Sequence, residues 1–369
     1  MIVFCHLLND RSGSPRVLCS TMEALGEVYE TRLYIGSQGR GSLENVSALK
    51  RRYWYRRSRL RIVTMFNLMV SQIRLYRMLS AAKDIPVDAV IYMNTLLPFG
   101  AALWAKRNRR RLICHVHEIS ISPAPFRRFL TGIVARAADL LIYVSEDHMK
   151  RLPIASRRAV VQFNPVQSCL RKRGEATPFS PRRSGSFEVL MLASARDFKG
   201  IPEFFGLAQS MSDRPDIAFK LVLNADGTEI TRYLGSRKIP ANVGIYSQTD
   251  DPSNFYASAD LVVNLSRIDL WVETFGLTLI EAMSFGVPVV APPVGGPTEI
   301  VTGGEEGFLI DSRNPEALVE AVQLLADDPG LSMKMSAAAR KKSAQFSQEA
   351  YARGLFSHVN AVAKRSEQA

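Results

Sequence analysis

Two glutamates, Glu273 and Glu281, bracket a glycine corner in the stretch Trp271-Val272-Glu273-Thr274-Phe275-Gly276-Leu277-Thr278-Leu279-Ile280-Glu281-Ala282-Met283. If both were helical, roughly 12 Å of axial rise would separate them, against the ~5–5.5 Å of a retaining glycosidase pair. They are therefore read as two holding groups at the ends of one ligand and not as a hydrolytic dyad. Gly276 is expected to open a helix running to about Phe285, with Gly286 at the position just past its end. Unpaired amides at such a helix start receive phosphate oxygens, favoured by the helix dipole. A diphosphate in the middle and hydroxyls at both ends describe a nucleotide sugar, with Glu273 on the transferred sugar and Glu281 on the ribose.

Three other places could do chemistry. Ala195-Arg196-Asp197-Phe198-Lys199-Gly200 puts two cations on a turn after an apolar run. Asn9-Asp10-Arg11-Ser12-Gly13-Ser14-Pro15-Arg16 follows the first apolar run, where Gly13 would let backbone approach a substrate and Pro15 suits a helix start. His115-Val116-His117-Glu118 ends another apolar run; His117 is the candidate ligand contact, and His115 is expected on the opposite strand face in a structural role. Cys5, Cys19, Cys114 and Cys169 lie far apart without a C-x-x-C pair, so a zinc site or disulfide framework has no support. There is no Asp-x-Asp triplet to hold a cation on a diphosphate.

The elements that must position these residues alternate short β-branched runs with helical-length amphipathic stretches, the pattern of parallel α/β sheets covered on both faces. A first series runs from Ile2–Leu8 to Ala159–Phe163 with six strand candidates, and a second, also of six, from Phe187–Ala193 to Gly307–Ile310. Residues 1–168 are thus expected to form one Rossmann-like domain and 187–346 a second. Residues 169–186, rich in Arg, Pro, Gly and Ser, read as an exposed linker. Residues 347–369 read as a final helix that packs back toward the first domain. Strand carboxyl ends bind ligands in such sheets, so two substrates are expected to meet in a cleft between the domains.

The text from Glu273 to Ala291, with Val294-Gly295-Gly296-Pro297-Thr298-Glu299 and Gly307-Phe308-Leu309-Ile310 behind it, resembles the donor domain of family 4 of the glycosyltransferases over about forty-five residues. The resemblance implies the α/β GT-B fold, two doubly wound Rossmann-like domains facing a central cleft with C-terminal helices. It also implies retaining transfer from a nucleotide diphosphate sugar, UDP by default, without a metal or other cofactor. On this reading Arg196 and Lys199 offset charge on the leaving diphosphate, helped by the backbone of Phe275, Gly276, Leu277 and Thr278. Gly13 comes close to the donor phosphate and acceptor, and His117 and Glu273 position the sugar. The sequence departs from the family pattern at Ala195, where glycine is common, in the two residues between Arg196 and Lys199, where four are usual, and at Glu118, where Asp is frequent.

Charge suggests the partners. Residues 1–165 hold 26 Lys+Arg against 11 Asp+Glu, so the +12 excess of the whole chain sits in its first half. Lys50 to Arg61 carries seven cations around Tyr53, Trp54 and Tyr55, and leads into the apolar stretch Ile62–Leu79. This segment is expected to hold the protein against an anionic membrane surface, its rings at headgroup depth. The acceptor is then expected to be a lipid-linked or other saccharide, in the manner of bacterial surface-polysaccharide or lipopolysaccharide glycosyltransferases. The start Met1-Ile-Val-Phe-Cys-His has no basic leader and Ala282–Thr298 holds four prolines, so neither a secretory signal nor a spanning helix is expected, and the location is cytoplasmic, at the inner face of the membrane. A sugar-nucleotide epimerase on the same fold is the alternative enzyme. A nucleic-acid-binding protein is the alternative from another class, but no motif of that kind accompanies the charge, and no nucleic acid is expected as partner.

Overall fold

The computed structural model describes residues 1–39 and 41–364. They fall into two compact units, Met1–Asn164 with the segment beginning at Gln348, and Pro165–Ser347.

The first unit is built on β1 (Ile2–His6), β2 (Thr31–Gly36), β3 (Leu49–Tyr53), β4 (Val90–Asn94), β5 (Arg111–Val116), β6 (Leu140–Tyr143) and β7 (Ala159–Val161). They form one parallel sheet in the order β3-β2-β1-β4-β5-β6-β7. Every residue of β1 and β4 is buried, as expected of central strands covered on both faces. The crossovers are α1 (Gly13–Gly26), α2 (Arg61–Ala81), α3 (Phe99–Arg107), α4 (Ala124–Ala137) and α5 (Glu146–Arg151).

The second unit carries β8 (Phe187–Ala193), β9 (Ile217–Leu223), β10 (Val243–Tyr246), β11 (Leu261–Val263), β12 (Val289–Ala291) and β13 (Gly307–Leu309) in the parallel order β10-β9-β8-β11-β12-β13. Its helices are α6 (Ser168–Glu175), α7 (Ile201–Ser210), α8 (Gly227–Leu234), α9 (Ser253–Ser258), α10 (Leu277–Ser284), α11 (Pro297–Ile300), α12 (Pro315–Asp327) and α13 (Pro329–Ser343). The chain then returns to the first unit as α14 (Gln348–Ala363), whose buried Tyr351 meets Thr21 of α1, oxygen to oxygen, at 2.7 Å.

Each sheet has a switch point where the strand order reverses, between β1 and β4 in the first unit and between β8 and β11 in the second. Ligands of doubly wound sheets bind beyond the strand carboxyl ends at such points.

Four expectations are corrected. The first sheet has a seventh strand, β3, inside the basic run. Lys50, Arg51 and Arg52 form an edge strand beside β2, and Arg51 and Arg52 are paired with Asp84 at 3.2 Å and Glu44 at 2.8 Å. Second, Tyr53 and Tyr55 are core residues and not headgroup anchors; the Tyr53 hydroxyl donates to the His6 carbonyl. Third, 169–186 is no open linker: α6 packs on α10 and Leu170 is buried. Arg340 donates to the Gly174 and Thr177 carbonyls, and Arg182 pairs with Asp216. Its apolar contacts are too few to show as a pattern. Fourth, the His115 and His117 rings lie 4.2 Å apart. Residues two apart in a strand share a face, so the opposite-face assignment of His115 was mistaken.

Candidate functional site

In the second unit the switch point gathers charge. Lys199 closes a short 3-10 turn after β8, and Glu273 lies in the loop after β11. Lys199 Nζ is 2.5 Å from Glu273 Oε1, which also accepts the Ser266 hydroxyl at 2.6 Å. Burial would raise the Glu273 carboxyl, but the Lys199 charge and hydrogen bonds outweigh it, and the group titrates below the usual carboxylate range. The same ammonium stands 5.1 Å above the Trp271 ring, which stacks on Phe198 at 5.2 Å, so a cation–π contact adds to the ion pair.

Two glycines make the close approach possible. Gly200, directly after Lys199, has φ of +85°, and a Cβ there would stand 2.0 Å from the Leu265 carbonyl oxygen. Gly296 donates its amide to the Glu273 carbonyl at 2.9 Å, and a Cβ on it would meet the Thr274 oxygen at 2.3 Å. The Val294–Pro297 turn is thus pressed against the loop that carries Glu273.

Gly276, at φ of +117°, precedes α10, and no side chain caps the helix start. The amides of Leu277 and Thr278 stand in its first turn, free of the i−4 partner that later residues have. Phe275 is buried against Phe346, ring centroids 5.8 Å apart. Glu281, in the second turn of α10, is buried and accepts the Tyr256 hydroxyl at 2.7 Å. Arg196 is exposed at the head of the turn, where its carbonyl accepts the Lys199 amide at 3.1 Å.

The first unit has its own polar cluster at the β1/β4 switch point. Asn94, the last residue of β4, donates through Nδ2 to the Ser14 carbonyl at 3.0 Å, which turns its Oδ1 toward His117 Nε2 at 2.9 Å. His117 therefore carries its proton on Nε2 and leaves Nδ1 as an acceptor. Burial holds the His117 imidazole well below its ordinary value, with His115, His148 and His6 adding in the same sense. Glu118 accepts the Leu96 amide at 2.8 Å and is raised by burial. Gly13 opens α1 one residue before Ser14, so Asn94 ties that helix start to His117.

Sequence reading missed Asn94, Ser266, Trp271 and Tyr256. A polar residue ending an apolar strand could have flagged Asn94; the other three owe their places to tertiary approach.

Residues 173–342 match the family model for Glycosyl transferases group 1. Over that segment the chain is similar to the group 1 glycosyltransferases. The chain is similar to a D-inositol 3-phosphate glycosyltransferase of Rhodococcus opacus, 36% identical over 233 residues that cover 60% of the chain and 46% of the relative. A second D-inositol 3-phosphate glycosyltransferase, of Catenulispora acidiphila, is 34% identical over 44% of the chain and 41% of its own length. The chain thus spans less than half the length of these relatives. Among solved structures, HepE of Anabaena in complex with UDP superposes with a TM-score of 0.77 at 19% identity over 98% of the chain and 99% of that structure. Sucrose-phosphate synthase of Thermosynechococcus elongatus gives 0.78 at 18% identity over 99% of the chain and all of that structure. The fold is GT-B.

Proposed function

We propose that the chain transfers a sugar with retention from a nucleoside diphosphate donor, UDP by default, to a lipid-linked or other saccharide acceptor, without a metal. One observation carries this reading: the half-buried Lys199–Glu273 pair sits at the switch point of the unit that matches the group 1 glycosyltransferase model, beside the uncapped start of α10. The start of α10 receives the diphosphate, from Phe275 to Thr278, and Lys199 with Arg196 offsets the charge that grows on it as the glycosidic bond breaks. Glu273 holds the sugar, and Glu281 holds the ribose with Tyr256 fixing its carboxylate. An acceptor hydroxyl forms the new bond on the face the diphosphate leaves, and its proton passes to the leaving phosphate. In the first unit His117 and Gly13 are assigned to the sugar and the acceptor side. A membrane-bound lipid acceptor places the protein peripherally on the inner face of an anionic membrane, where surface glycans are built.

The assignment is tested by incubating the protein with UDP-sugars and a lipid-linked saccharide acceptor. UDP release that depends on acceptor, and an α-configured product from an α-donor, support it. Conversion of donor without acceptor would point to an epimerase instead.

A further inference from the structure

A lipid-linked acceptor needs a face of the protein that meets lipid, and the topology of the first unit isolates one. The connections β3 to β4, β4 to β5 and β5 to β6 step across the sheet in one direction, whereas β1 to β2 steps the other way. Right-handed crossovers therefore place α2, α3 and α4 together on one sheet face and α1 on the other. The inner sides of these three helices share one core, where Leu75, Ala101 and Val134 pack with Cys5, Met93 and Cys114 of the strands.

Their outer sides have an unusual composition. The three helices hold eight cations and not one Asp or Glu, with Arg74 and Arg77 on α2, Lys106 and Arg107 on α3, and Arg127 and Arg128 on α4 among them. No carboxylate within these helices is present to neutralise them. The same surface exposes apolar side chains. Ile62, Phe66 and Ile73 of α2 are 85%, 66% and 55% exposed, and Phe129 of α4 is exposed as well. Spacings of four and seven residues keep the three α2 side chains on one side of that helix. Single exposed apolar residues are ordinary; a row of them on helices that carry cations and no acid is not.

We propose that the outer face of α2, α3 and α4 docks on an anionic bilayer, with Ile62 and Phe66 entering the headgroup layer and the arginines lying against lipid phosphates. The inference rests on the acceptor reading only for its purpose. A bilayer takes both cations and buried apolar side chains, whereas a nucleic acid takes the cations but has no place for Ile62 and Ile73. The face also differs from β3, whose Arg51 and Arg52 already have carboxylate partners.

The experiment is sedimentation of the full chain with vesicles of phosphatidylcholine and of phosphatidylcholine with about 30% phosphatidylglycerol. Three proteins are compared: wild type, Ile62→Ser/Phe66→Ser/Ile73→Ser, and Arg74→Ser/Arg127→Ser/Arg128→Ser. Wild type is expected to bind only the anionic vesicles and to release as salt rises. Each triple variant is expected to lose on the order of 10²-fold in partitioning while keeping its thermal midpoint and its transfer to a soluble acceptor analogue. Wild-type partitioning in both variants overturns the proposal, and so does retention of wild-type binding by the apolar variant alone, which would mean adsorption by charge. Binding of oligonucleotides without binding of anionic vesicles overturns it in favour of nucleic acid. Donor binding, read separately as a thermal shift with UDP-sugars, is unaffected by these outcomes, so failure of the docking face and failure of the enzyme reading are distinguished.

Discussion

Lys199 Nζ and Glu273 Oε1 stand 2.5 Å apart although 74 residues separate them in the chain. Both follow strands that flank the switch point of the second sheet, and both have little exposure to water. A partly buried carboxylate is costly unless paired, so this contact holds a preorganised charge where a sugar phosphate would arrive.

Removing either charge should slow transfer sharply. Glu273→Gln and Lys199→Ala are each expected to lower turnover on the order of 10²-fold or more at saturating donor and acceptor, the cost of one preorganised electrostatic partner. Steady-state kinetics with both substrates saturating checks this. Near-native turnover in both variants would show that the pair is structural only.

Glu281 should behave differently, because ribose contacts act alike in ground and transition states. Glu281→Ala is expected to weaken donor binding with a smaller effect on turnover, and Tyr256→Phe, which removes the hydroxyl donated to Glu281, to do so more mildly. Titration calorimetry with donor reads both, and unchanged donor affinity in Glu281→Ala would remove the ribose role.

Gly200→Ala tests the backbone behind Lys199. A Cβ at 2.0 Å from the Leu265 oxygen, at φ of +85°, forces the turn to move. A loss of about 1–3 kcal/mol in stability is expected, together with reduced activity because Lys199 is the preceding residue. Chemical denaturation compared with wild type measures it.

Much of this was legible in the sequence, and the exceptions have physical reasons. Apolar runs marked the strands that are buried on both faces, because such strands need no alternation, and the glycine corner at Gly276 announced the start of α10. β3 was hidden because an edge strand can carry Lys50, Arg51 and Arg52 on its rim, so it looked like a charge patch. α6 was hidden because only Leu170 and Gly174 on it are buried. Asn94 and Trp271 gain their roles from residues far along the chain, which no local pattern encodes.

Acid should weaken the first unit selectively. All five histidines of the chain lie there, and burial lowers each of them below the ordinary 6.5, His115 to about 3. The unfolded chain takes up protons near 6.5 while the folded one does not, so stability is lost as pH falls below that value. Each fully buried ring, such as His6, His115 or His148, costs about 1.4 kcal/mol per pH unit while it stays neutral. The raised carboxyl of Glu118 acts in the opposite sense, one group against five. Hydrogen exchange between pH 7.5 and 5.5 should show protection falling in β1, β4 and β5 before it falls in β8 and β9.

The central claim is that the second unit binds a nucleotide sugar through Lys199, Glu273 and the start of α10, and donor-induced thermal stabilisation measures it most directly. One donor among UDP-, GDP-, ADP- and dTDP-sugars, UDP-linked by default, should raise the midpoint, since a ligand at about 100 times its Kd stabilises the native state by about 2.7 kcal/mol. Lys199→Ala should blunt that shift. No stabilisation of the wild type by any of the four would contradict the account.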